Sequence, residues 1–478
     1  MRQLSSLDTQ FLAIEDGRRT GHVGALAVYD PSTAPDATMT CATMMALLRK
    51  RMHLLPPLRW RLSDVPFGLD YPYWVTDDNF DLTYHVREAA LPSPGSDTQL
   101  AALVSRLHSH AMDRARPLWE MYVISGLKSG RVAVYTKIHH AVIDGVSGAE
   151  ITGLLLDVSP QGRDIPPPEW PPKGTSSSAV QRWGRALLGV PRYPARVLRA
   201  VPRALPNLDE TVFSALPGVS RAGRLAGRRT RTPMAAPKTS FNGRLTPNRR
   251  FAFGRLDLER VKAVKNAHGV TVNDVVVSIC AGAVRRWLID HEELPDQPLV
   301  AQIPVSVRTD EHAGTFGNRV QMLAAPLYTN IADPAARLRA TATSMREIKD
   351  RHRALPADLL IDVNHFIPPA LFSRAARATF ALATSRVGRP TWNVVVSNVP
   401  GPQIPLYCGG SRLVAHYPVS VITDGLGLNI TVMSYDGHLD VGIVADREQM
   451  PDVMTLLDGL EMALAYLEDT ARRVRRRV

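Results

Sequence analysis

The chain has 478 residues, 45% of them hydrophobic but only 6% aromatic, with a formal net charge of +12. That length exceeds one ordinary core and predicts two domains or one large fused one, of α/β or α+β class rather than an aromatic-rich β-sandwich. Cys41, Cys280 and Cys408 stand far apart without a CxxC pair, which supports neither a disulfide framework nor a thiolate zinc site and fits a reducing compartment.

At the start of the chain, Asp8, Glu15 and Asp16 interrupt the apolar core that an export signal requires, so a cytoplasmic location is expected. Helical and strand-like stretches then alternate to about Leu156. Leu118 to Ile124 reads as a strand, Lys128-Ser129-Gly130 as a turn, and Arg131 to Ile138 as the antiparallel partner, with Val132, Val134, Thr136 and Ile138 on one face. His139 and His140 follow directly. Beyond Gly145 the spacing of Ile151, Leu154 and Leu155 predicts a helix capped by Ser147, so the segment His139 to Gly145 lies on a loop between strand and helix.

Residues 159–178 turn to Pro, Gly and Ser, marking a crossover. The predicted organisation is therefore a first domain over 1–158, a crossover and basic segment over 159–245, and a second domain over 246–478. Between Arg182 and Arg250 stand 15 Lys or Arg against only Asp209 and Glu210, enough to account for the whole positive excess. No zinc finger, RNP-type motif or helix-turn-helix accompanies this charge, which argues against nucleic acid. Arg192, Arg196, Arg199 and Arg203 recur at helical spacing opposite Val197, Leu198, Val201 and Leu205, so the stretch reads as an interfacial helix on an anionic membrane, or alternatively as a solvated arginine face broken by Pro191, Pro194, Pro202 and Pro206.

In the second part a helix is predicted over Leu258 to His268 and another from Thr271 to Leu288. Strands are predicted at Leu299 to Val307, Trp392 to Ser397, Leu428 to Ser434 and Leu439 to Ala445, the last two joined by an Asp436-Gly437 hairpin turn. The longest apolar runs, such as Val275 to Val284, fall short of the ~20 residues a membrane-spanning helix needs. Five arginines between Arg472 and Arg477 close a helical pattern, suiting both a helix C-terminus and an anionic surface.

Chemistry concentrates at His139-His140-Ala141-Val142-Ile143-Asp144-Gly145. A neutral imidazole near pH 7 suits a general base that strips a proton from an attacking hydroxyl. Adjacent residues at a strand end point to different sides, so His140 is assigned as base and His139 as its support. Asp144 reads as a loop anchor, with Arg308 as its candidate partner, and Gly145 permits positive φ or close backbone approach. No GxSxG nucleophile stands nearby, and direct attack by a bound alcohol needs none. Zinc is disfavoured because neighbouring histidines do not face one ion and no HxxxH or HExxH occurs.

These residues resemble the bacterial wax ester synthase and diacylglycerol acyltransferase family. Besides HHxxxDG, the resemblance rests on Leu4 to Leu12, Phe80-Asp81-Leu82 with His85-Val86-Arg87, Arg116-Pro117-Leu118-Trp119-Glu120, Asn273-Asp274-Val275-Val276, Gly317-Asn318-Arg319, and Ser397-Asn398-Val399-Pro400-Gly401-Pro402. It implies two chloramphenicol-acetyltransferase-like domains with a channel between them, and His140 as general base. Asn273, with Asp274, would contact substrate or oxyanion; the alternative for Asn273 is a helix N-cap, shared with Thr271. The implied substrates are a long-chain acyl-CoA and either diacylglycerol or a fatty alcohol, with no cofactor. A basic surface for docking on anionic membrane or lipid droplets would follow, the protein then being cytoplasmic and peripheral. The same fold acylating another hydroxyl or amine, and a non-catalytic lipid-surface protein, are the remaining readings.

Overall fold

The computed structural model describes residues 2–4, 6–65, 71–143, 148–166, 236–306, 320–353 and 390–475. The first half runs β1 (Arg2–Gln3), α1 (Ser6–Ile14), β2 (His22–Asp30), α2 (Cys41–Arg51), β3 (Trp60–Ser63), β4 (Tyr73–Thr76), α3 (Leu82–His85), β5 (Val86–Ala90), α4 (Asp97–Ser109), β6 (Trp119–Ser125), β7 (Val132–His139), α5 (His140–Ile143) and α6 (Gly148–Leu155). The second comprises β8 (Arg249–Asp257), α7 (Leu258–His268), α8 (Val272–Asp290), β9 (Leu299–Ser306), β10 (Val320–Leu327), α9 (Pro334–Arg353), β11 (Val394–Val399), β12 (Tyr407–Cys408), β13 (Ser411–Val419), β14 (Leu428–Tyr435), β15 (His438–Asp446) and α10 (Thr455–Arg475). The mixed α/β class expected from the sequence is the one observed.

Two six-stranded sheets carry the fold. One has the order β12-β13-β2-β7-β6-β5 and the other β10-β9-β11-β14-β15-β8. The first is therefore completed by strands from far along the chain: β13 pairs antiparallel with β2, placing Tyr417 opposite Leu26 and Val419 opposite Gly24. This loan binds the halves together. At the crossing between sheets a Cβ on Gly442 of β15 would stand 1.7 Å from the Pro418 carbonyl oxygen of β13, so only glycine fits there. Arg255 of β8 reinforces the same crossing, pairing with buried Asp440 at 2.7 Å and donating to the Val414 carbonyl.

Helix α4 closes the outer edge of the second sheet. Ser105 and Ser109 donate to carbonyls four residues back, and their hydroxyl oxygens accept the Phe251 and Arg249 N–H groups of edge strand β8 at 2.8 and 2.9 Å. An otherwise open strand edge is thereby satisfied.

Both faces of the β6–β7 hairpin are covered, the one read in the sequence from Val132, Val134, Thr136 and Ile138 and the opposite one. Val134 and Ile138 lie in a cluster with Trp119, Met44 and Leu48, whereas Ala133 and Tyr135 lie in another with Leu100, Val104 and Phe251. The cause is β8 and β13 packing from the second half onto the face that a lone hairpin would leave wet. Helix α8 is apolar nearly all round and sits at the heart of the second core, from Val275 to Leu288.

Helix α7 spans the predicted residues and ends on Gly269, in the left-handed region at φ 63°. Asp436 and Gly437, both at positive φ, form the two-residue turn between β14 and β15. Among the described residues no single helix is long and apolar enough to cross a membrane. The candidate cap Ser147, residues 167–178 of the crossover and the arginines at 192, 196, 199 and 203 lie outside the described residues. Of the basic stretch, Lys238, Arg244, Arg249 and Arg250 are described; the first two and Arg250 are exposed, whereas Arg249 is buried, donating to the Thr246 and Arg18 carbonyls at 2.6 Å. That cation belongs to the interior, not to a surface.

Candidate active site

The two histidines diverge as expected of neighbours at a strand end. His139, the last residue of β7, is 1% exposed, whereas His140 opens the single turn α5 and is half-buried. The His139 Nδ1 accepts the Ala141 N–H at 3.1 Å, which places its ring proton on Nε2, and Nε2 lies 3.2 Å from Glu15 Oε1. Glu15 also accepts the Gly21 N–H at 2.7 Å and Arg114 Nη2 at 2.7 Å. Burial alone would raise the Glu15 carboxyl, but His139, Gly21 and Arg114 outweigh it and hold its pKa at about 2. His139 is thus a clamped residue.

The ring of His140 stacks on Phe11 of α1, centroids 3.9 Å apart and planes 12° apart, and its backbone N–H donates to the Gly21 carbonyl at 2.9 Å. The Gly21 backbone thus serves His140 directly and His139 through Glu15. A Cβ there would stand 2.7 Å from His139 Nε2 and 3.0 Å from the Phe11 carbonyl. Gly21→Ala is expected to displace both imidazoles and lower kcat by about 10- to 100-fold, since small misplacements of a catalytic group cost on that order; steady-state kinetics of the purified variant checks it.

Beneath this loop the sequence blocks meet one another. Leu118 accepts the His139 N–H at 2.9 Å through its carbonyl. Trp119 donates through Nε1 to the Leu58 carbonyl at 2.7 Å and stacks on His85, whose Nδ1 donates to the Trp119 carbonyl at 2.8 Å. Glu120 Oε2 lies 3.0 Å from Lys137 Nζ and accepts the Tyr122 hydroxyl at 2.9 Å, with Arg87 3.6 Å from its other oxygen. Lys137 is fully buried, and its remaining donors reach the Leu107 and His110 carbonyls at 3.2 and 3.0 Å. Phe80-to-Arg87 and Arg116-to-Glu120 are thus the scaffold that aims the histidine strand.

A second buried layer is held neutral. His108 donates through Nε2 to the Ser420 carbonyl at 3.3 Å, so its Nδ1 accepts the Tyr135 hydroxyl at 2.7 Å. Burial, with Arg249 and Lys137 nearby, lowers its pKa to about 3. His22, opposite His139 across the sheet, donates to the His108 carbonyl at 2.7 Å and is likewise pushed well below the usual histidine range by burial, His108 and Lys137. The unfolded chain takes up these protons below about pH 6.5 while the folded chain does not, so acid destabilises. Glu15 adds to this, its stabilisation being complete above about pH 4.5 and lost as pH falls towards about 2. Stability should therefore decline from about pH 6.5 downwards by up to about 1.4 kcal/mol per pH unit for each such group. Thermal melts of His108→Gln should show a shallower slope between about pH 6.5 and 4.

On α8, Thr271 is the N-cap and accepts the Asp274 N–H at 3.2 Å, while the Asp274 carboxylate accepts the Thr271 N–H at 2.9 Å. The N-cap alternative for Asn273 is thereby corrected: the reciprocal Thr271–Asp274 box already satisfies that helix end. Asp274, expected beside Asn273 as a substrate or oxyanion contact, is buried with its carboxylate in this cap. Asn273 instead accepts from Asn398 Nδ2 at 3.4 Å. Asp144, Gly145 and Arg308 lie outside the described residues. Glu15, Gly21, Arg114 and Lys137 were missed in the sequence. The one available signal was the position of Glu15, three residues beyond the Leu4-to-Leu12 block.

The fold is chloramphenicol-acetyltransferase-like, the fold that condensation domains share. The first condensation domain of the CDA synthetase superimposes with a TM-score of 0.56 at 16% identity, covering 98% of this chain and 97% of that one. The description "Wax ester synthase/diacylglycerol acyltransferase catalytic domain" matches residues 4–276, and "WS/DGAT C-terminal domain" matches residues 316–468. This chain belongs to the wax ester synthase/diacylglycerol acyltransferase family. The solved structure named "Wax ester synthase/diacylglycerol acyltransferase from Marinobacter aquaeolei VT8" is 32% identical with a TM-score of 0.72, covering 98% of this chain and 100% of that one. "Putative diacyglycerol O-acyltransferase Rv1760" of Mycobacterium tuberculosis is 38% identical over 98% of this chain and 90% of its own length. "O-acyltransferase WSD" of Acinetobacter baylyi is 33% identical over 98% and 97%.

Proposed function

We propose that this chain transfers a long-chain acyl group from acyl-CoA to diacylglycerol, giving triacylglycerol, and to long-chain alcohols, giving wax esters, with His140 as general base. Family membership supports the activity. The unequal setting of the two imidazoles carries the residue assignment: His139 is sealed against Glu15, while His140 is the half-exposed one. In the proposed step the acceptor hydroxyl oxygen attacks the thioester carbonyl carbon as His140 takes its proton. The tetrahedral intermediate then collapses, the C–S bond breaks, and the imidazolium returns the proton to the CoA thiolate. Asn273 is assigned as donor to the developing oxyanion, a role worth ~3 kcal/mol where such donors are removed. Asp274 caps α8, and Asp144, Gly145 and Arg308 retain their loop-holding roles.

Acyl-CoA acts here as substrate, with no cofactor assigned. For the chain's division we propose units 1–158 and 246–478 joined by 159–245, with β13 lent back to the first unit. The arginines of the crossover are assigned to anionic lipid, placing the protein peripherally on a cytoplasmic membrane face or lipid droplet. Labelled acyl-CoA supplied to the purified protein with diacylglycerol, fatty alcohol or an amine acceptor tests the activity. Ester product with the first two supports it; amide product alone, or none, overturns it.

A further inference from the structure

We propose that Asn398 is a positioning residue for the reaction, holding the Asn273 side-chain amide so that its NH₂ faces the reacting carbonyl; this rests on the donor reading of Asn273. The placement argues for it. Along β11, Val394 and Val396 lie in the core that contains α8, and Asn398 is the next residue on that same face. An asparagine thus follows two core valines where the face runs out beneath the start of the helix. Local structure does not consume it: β11 is an inner strand, its Asn398 registered against Val432 of β14. The turn that follows is secured separately, the Gly401 N–H donating to Ser434 Oγ at 3.0 Å. Asn398 therefore stands in a strand, not in the turn.

The partner amide is equally unspent, because Thr271 and Asp274 complete the helix cap without it. With its oxygen accepting from Asn398 Nδ2 at 3.4 Å, the Asn273 amide nitrogen is, among the described residues, left to donate elsewhere. Tyr435, at the end of β14 beside β11, belongs to the apolar cluster that also holds Ala141 and Val142, the residues after His140. A donor oriented before reaction needs no reorganisation as charge develops, so the benefit falls on kcat, not on substrate affinity.

The test is steady-state kinetics of the full-length protein, with thermal melting alongside, for Asn273→Ala, Asn398→Ala, Asn398→Asp and the double alanine variant. Asn398→Ala should lower kcat by about tenfold with KM for acyl-CoA and acceptor unchanged. Asn398→Asp, equal in size but able only to accept, turns the Asn273 amide over and should lower kcat at least as far; it decides the matter if the alanine variant does not fold. The double variant should be no slower than Asn273→Ala alone. Wild-type kcat in Asn398→Asp, or a double effect equal to the product of the two single effects, overturns the proposal. Wild-type kcat in Asn273→Ala refutes the donor reading itself, whereas loss there with none at Asn398 refutes the positioning role alone.

Discussion

Replacing His140 with alanine is expected to lower kcat by about 10²–10⁴-fold, the range for removing a positioned general base, while the melting temperature stays close to that of the parent. Its ring is half-buried against Phe11, and its backbone bond to Gly21 survives the substitution. His139→Ala should behave differently. It strips a buried partner from Glu15 and from the Ala141 N–H, so stability falls together with activity. Measuring kcat and melting temperature on both variants separates the roles. Equal turnover in His140→Ala and wild type would remove it as the base, and a stability loss matching that of His139→Ala would make it structural.

Glu120→Ala should cost about 3–5 kcal/mol of folding stability, as when one member of a buried ion pair is removed. Lys137 has no access to solvent, and its ammonium depends on Glu120 at 3.0 Å and two carbonyls. Burial already lowers the Lys137 pKa, with Glu120 opposing that effect, so loss of the carboxylate favours the neutral amine. The double variant Glu120→Leu/Lys137→Met should recover much of the loss, because apolar replacements of a buried pair are often neutral or better. Denaturant unfolding of the three variants reads this directly. A Glu120→Ala loss under about 1 kcal/mol would mean that water reaches the pair.

Local signals made much of this molecule legible in advance. The β6–β7 hairpin, α7, α8, and the β14–β15 turn at Asp436-Gly437 all follow from periodicity and cap or turn chemistry within about twenty residues. The exchanged strand β13 was not legible, since its partner β2 is almost 400 residues away and nothing in its sequence names a sheet. Site residues divide in the same way. His139 and His140 were found because they adjoin and end a strand. Glu15 and Gly21 carry no motif, and their importance arises only when α1 and β2 fold against β7. Lys137 carries no motif either: Glu120 and the Leu107 and His110 carbonyls reach its ammonium only once α4 and β6 fold against β7. Asn273 was legible as a candidate but ambiguous, until the Thr271–Asp274 box accounted for the cap.

Direct transfer to a bound alcohol is most sharply tested by incubating the wild-type protein with labelled acyl-CoA, with and without diacylglycerol, and following CoA release together with the intact mass of the protein. Release of CoA only with acceptor, matched one for one by triacylglycerol and with no acylated protein, is the predicted result. A burst of CoA in the absence of acceptor, leaving protein heavier by one acyl group, would contradict it.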